Sequence, residues 1–66
     1  LGRNVRHYRK LRGMTQEALA LSADMKRSYV SDMERGTRNP TVEALGRVAR
    51  ALAIEPFRLL MDDPSD

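Results

Sequence analysis

Residues 24 to 30 read Asp-Met-Lys-Arg-Ser-Tyr-Val and lead into Ser31 to Arg35, a stretch with helical character. Lys26 and Arg27 therefore stand at the start of a helix. The unsatisfied N–H groups and partial positive charge at that end favour anions and small oxygen-bearing caps. Two cations there weaken the free helix, but they make an anion site when phosphates or base edges supply the missing negative charge. The planar fork of Arg27 suits the O6 and N7 atoms of guanine. Lys26 suits a phosphate. Ser28 can donate or accept and so discriminates weakly. Two roles are open to Tyr29: contact with a phosphate or thymine methyl, or packing over the first helical turn. Asp32 is repelled by phosphates unless it accepts from cytosine N4. Its other roles are an i,i+3 pair with Arg35, or repulsion that disfavours wrong sites.

Catalytic chemistry has little to work with. The chain has no cysteine, no Ser/His/carboxylate arrangement, no phosphate-cradling glycine loop and no metal-ligand cluster. No enzyme, cofactor or metal site is expected on that composition. His7 sits among Arg3, Arg6 and Lys10 with no ligand at i±3 or i±4, as a surface histidine would.

The charge balance agrees with a polyanionic partner. Of the nine acidic residues, Asp62, Asp63 and Asp66 lie in the last five positions, so residues 1 to 61 carry 12 basic against 6 acidic residues, net +6. A basic domain with a pI near 10.0 points first to nucleic acid, and a merely solvated basic surface is the alternative. No apolar run approaches a membrane span, and no signal-peptide pattern opens the chain. Absence of cysteine favours a reducing, cytoplasmic setting. The first residue is Leu1 rather than Met, as in a piece of a longer protein.

The elements that must position these residues are short helices. At 66 residues there is room for one domain near the lower limit for an unstapled core. Leu1, Val5, Tyr8 and Leu11 repeat at helical spacing and stop at Gly13. Thr15 can cap a second helix, Gln16 to Leu21, and a tight turn at 22–25 leads to a third, Arg27 to Arg35, closed by Gly36. After the loop Thr37-Arg38-Asn39-Pro40, Thr41 can cap a fourth helix whose buried stripe is Val42, Leu45, Val48, Ala49 and Leu52. Pro56 suits the first position of a fifth, Pro56 to Met61, followed by a frayed acidic tail at 62–66. Met14, Met25, Met33 and Met61 are suited to filling core gaps. No segment alternates like a strand. The expected fold is all-α, a compact orthogonal bundle of five short helices over residues 1–61.

Gln16 to Gly36, QEALALSADMKRSYVSDMERG, has the spacing of two helices crossing steeply, with small Ala20 allowing close approach and a turn at Asp24. With LGRNVRHYRKLRGMTQEALA before it and ERGTRNPT and LGRVARALAIEPFRLL after, nearly the whole chain resembles the lambda-repressor-like (Cro/repressor, XRE) helix-turn-helix family. The resemblance implies a prokaryotic or phage-type transcriptional regulator, a repressor first, with the third helix in the major groove of double-stranded DNA. It implies that Arg27, Ser28 and Asp32 point into the groove, that Gln16, Arg38 and Asn39 hold DNA backbone, and that Arg9 and Glu34 form an ion pair tying the first helix to the third. It also implies a homodimer, joined in the region of Phe57, Leu60 and Met61, on a pseudo-palindrome with half-sites about one helical turn apart. Packing of those three on the fourth helix is the alternative. Two departures from the family pattern are Asp24, where Gly is usual, and Lys26, where a Ser or Thr cap is common; the missing cap costs about 1 kcal/mol. A rival function on the same fold is a protein-interaction module of antitoxin or bridging-factor type.

Overall fold

The computed structural model describes residues 1–61 in four α-helices and a closing 3₁₀ helix: α1 (Gly2–Leu11), α2 (Gln16–Ser22), α3 (Arg27–Arg35), α4 (Val42–Leu52) and Pro56–Leu60. The expected acidic tail at 62–66 lies outside the described residues. Local chemistry sets the boundaries. Thr15 and Thr41 each accept, through the side-chain oxygen, the N–H three residues on (Ala18 and Ala44), at 3.0 Å in both cases. This satisfies amides that have no partner within the helix. Gly36 ends α3 in the left-handed region at φ 80°.

Among the described residues, Val5, Leu19, Ala20, Ala23, Val30, Met33, Val48, Ala49, Leu52 and Leu59 form one contiguous core cluster. They come from every element, so no helix has a buried face without the others. Ala20 is 3% exposed, and its small side chain lets α2 and α3 cross closely. Asp24 makes the connecting turn with φ 56°, a conformation that Asp tolerates better than most L-residues.

Four expectations require correction. The last element is a 3₁₀ helix ending at Leu60, because Met61 is already extended at φ −72°, ψ 150°. Val42 is 88% exposed and Ala44 is buried instead, so the apolar stripe begins later in α4. Leu11 is 68% exposed at the end of α1. Of the four methionines only Met33 is fully buried; Met14 and Met25 border the core, and Met61 is 46% exposed.

Two long-range polar anchors were not apparent from the sequence. The buried Asn4 amide donates to the carbonyls of Arg58 (3.2 Å), Leu59 (2.8 Å) and Met61 (2.5 Å), tying the 3₁₀ helix to α1. Arg12 donates to the carbonyls of Leu52 (2.8 Å) and Ala53 (3.3 Å), which end α4. At Gly2 a Cβ would lie 2.6 Å from the carbonyl oxygens of both Met33 and Glu34, so the start of α1 can sit against the end of α3 only without a side chain.

Candidate nucleic-acid interface

α3 begins without a side-chain cap: Lys26 occupies the capping position in extended conformation and makes no capping hydrogen bond. Lys26, Arg27 and Ser28 are all exposed. The end of α3 that the sequence marks as an anion site is therefore open to solvent and carries two cations.

Behind it runs a chain of polar contacts. Arg9 Nε donates to Glu34 Oε2 at 2.7 Å and Arg9 Nη2 to Glu34 Oε1 at 3.1 Å, a two-point pair with side chains only 11% and 5% exposed. Arg9 Nη1 also donates to the Met14 carbonyl at 2.8 Å, fixing the turn that precedes α2. Glu34 Oε1 accepts a further bond from Gln16 Nε2 at 3.1 Å. The Gln16 oxygen then accepts from Arg27 Nη1 at 3.4 Å. The ion pair expected between α1 and α3 is present, and it extends to the first residues of α2 and α3.

The loop after α3 is organised around Tyr29. Its hydroxyl accepts the Thr41 N–H at 3.3 Å, and the Arg38 guanidinium lies 4.9 Å from its ring centroid. Tyr29 is half-buried and packs against the core, and its polar contacts are with the loop after α3 and not with the first turn of the helix. Arg38 and Asn39 are exposed. Asp32 pairs with Arg35 one turn on, as the i,i+3 reading anticipates, and its second oxygen faces Arg38 Nε at 3.9 Å. Lys26, Arg27, Ser28, Arg38 and Asn39 thus lie on α3 and the segments flanking it, with Gln16 held against α3. Phe57, Leu60 and Met61 belong to the 3₁₀ helix and the residue after it, and are 57%, 60% and 46% exposed.

Among the described residues no group of His, Cys, Asp and Glu could hold a metal ion, and no helix is long and apolar enough to cross a membrane.

Two helices, α2 and α3, crossing closely at Ala20 through the turn at Asp24 and braced to α1 by the buried Arg9–Glu34 pair, form a helix-turn-helix unit. The helix-turn-helix family profile matches residues 5–59, and the chain belongs to that lambda-repressor-like family. Among curated relatives, the control protein C.BamHI of Bacillus amyloliquefaciens is 42% identical over 60 residues, covering 89% of this chain and 74% of the relative. Among solved structures, the restriction-modification controller C.AhdI from Aeromonas hydrophila superposes with a TM-score of 0.86 at 41% identity, covering 88% of each chain. The biofilm master regulator SinR, solved in complex with DNA and known from Bacillus subtilis, gives a TM-score of 0.87 at 33% identity, covering 91% of this chain and 97% of that one.

Proposed function

We propose that residues 1–61 form a sequence-specific double-stranded DNA-binding unit of a prokaryotic transcriptional regulator, with α3 lying in the major groove. The observation that carries this reading is the exposed, uncapped start of α3, where Arg27 is steadied through Gln16 by the buried Arg9–Glu34 pair. Arg27 and Ser28 face base edges, with Arg27 on a guanine. Lys26, Gln16, Arg38 and Asn39 hold phosphates on either side, which positions the helix without reading sequence. Tyr29 supports the loop that carries Arg38, in keeping with its bond to Thr41, and does not read bases.

The exposed Phe57, Leu60 and Met61 join two copies about a two-fold axis, so that the operator is a pseudo-palindrome. Occupying its operator would make the regulator act as a repressor, and it works in the cytoplasm where that DNA is. Nothing in this reading requires a cofactor, a small-molecule ligand or catalysis.

Selection of binding sites from random duplex DNA tests the proposal. The expected result is an enriched consensus with two inverted halves about one helical turn apart. Failure to enrich any sequence, with binding that does not depend on salt or is absent at low salt, supports the protein-interaction alternative.

A further inference from the structure

Asp32 is the one acidic side chain of α3 outside the Arg9–Glu34 brace, and on a surface facing polyanions it needs a reason. Its two oxygens are divided between two arginines. Oδ1 accepts from Arg35 Nη2, and Oδ2 faces Arg38 Nε at 3.9 Å. The Asp32 side chain is 29% exposed, whereas those of Arg35 and Arg38 are 63% and 52% exposed. The carboxylate is the recessed partner and the guanidinium groups are the open ones. Arg35 also donates to Ser31 Oγ at 3.5 Å, and Arg38 rests on the Tyr29 ring, so both cations are parked within reach of α3.

A carboxylate and a phosphate present oxygens to an arginine fork in the same way. Exposed ion pairs of this kind are weak, each worth at most a few-fold in an equilibrium, so they can be exchanged. Oδ1 holds the hydrogen bond to Arg35, while Oδ2 has only the longer ionic contact with Arg38. The two arginines lie at and beyond the C-terminal end of α3, away from the base-reading end.

We propose that Asp32 acts as an intramolecular stand-in for a DNA phosphate: its carboxylate occupies Arg35 and Arg38 in the free protein, and binding exchanges it for phosphate oxygens. This rests on the reading of α3 as the DNA-facing helix. Asp32 is thereby a brake on sequence-independent attraction and not a reader of sequence. The brake matters because a regulator competes against a vast excess of wrong sites, to which phosphate contacts bind it without discrimination.

The test compares the unaltered protein with Asp32→Asn on its selected site and on random duplex, each across a salt series. The expected result is a gain of about three- to tenfold on both DNAs alike, with a salt slope steeper by about one. In an Arg35→Ala/Arg38→Ala background the gain disappears, because no cation is left to release. A change confined to one base position, a loss of affinity, no change, or a gain that persists without the two arginines overturns the proposal. Should Asp32→Asn fail to fold, Asp32→Ser takes its place. Independently, the Arg38 Nε–Hε resonance of the unaltered protein shifts on addition of random duplex if the exchange occurs and is unmoved if it does not. A protein that binds no duplex at all overturns both readings; one that binds DNA but fails the Asp32 comparison overturns this one alone.

Discussion

Gln16 joins Glu34 to Arg27, its amide nitrogen donating to the carboxylate at 3.1 Å and its oxygen accepting from the guanidinium at 3.4 Å. An amide can present either end to a neighbour. Here the carboxylate selects the donor end, which leaves the oxygen for Arg27. A brace buried between α1 and α3 thus decides how an exposed residue at the start of α3 is held.

Arg27→Ala should weaken binding to the selected site by about 1–3 kcal/mol and relax preference at one base pair of each half-site. Random duplex should lose much less. Titration against single-position site variants checks it, and unchanged affinity and preference would remove Arg27 from the reading set.

Glu34→Ala leaves Arg9, whose side chain is 11% exposed, without its carboxylate. The expected loss is about 3–5 kcal/mol, because an unpaired charge remains buried. A domain of this size has little more than that to lose. A melting temperature within a degree or two of the unaltered protein would mean the pair behaves as a surface contact.

The helix boundaries were legible because they depend on neighbours in the chain. Thr15, Thr41, Gly36 and Pro56 each act within a few residues of where they stand. Arg9 and Glu34, 25 positions apart, were paired only through the family resemblance. Asn4 and Arg12 could not be paired at all, since their acceptors are main-chain carbonyls more than 40 residues away or close to it. A carbonyl leaves no mark in a sequence. The usable signal at Asn4 was a polar residue beside Val5 on the apolar side of α1, which has to find partners if it is buried. Periodicity assigns Val42 the face of Ala49, two turns on, but does not say where the core stops, and Val42 is 88% exposed.

Tyr29→Phe keeps a ring beneath Arg38 and removes the acceptor for the Thr41 N–H. It should cost about 1 kcal/mol in urea unfolding and leave base preference intact. Tyr29→Ala also removes the platform for Arg38, and DNA affinity should fall by a similar factor on every sequence. An altered preference at one base pair would instead make Tyr29 a reader.

Lys26→Ser should separate stability from binding. A serine at the uncapped position can accept an α3 amide and should add about 1 kcal/mol to unfolding. It also removes one phosphate contact, so affinity should fall on all DNAs and the salt slope should flatten by about one. If stability and affinity move in the same direction, the cation at the cap is not there for DNA.

The Asn4 amide spans the interval between the two ends of the domain's work. By holding the carbonyls of Arg58, Leu59 and Met61, it makes the segment bearing Phe57, Leu60 and Met61 ride rigidly on α1, the same helix that Arg9 ties to α3. In a two-fold pair joined through that segment, the separation of the two reading helices would be a fixed calibre. One buried asparagine would then govern how strictly a regulator insists on the number of base pairs between its half-sites.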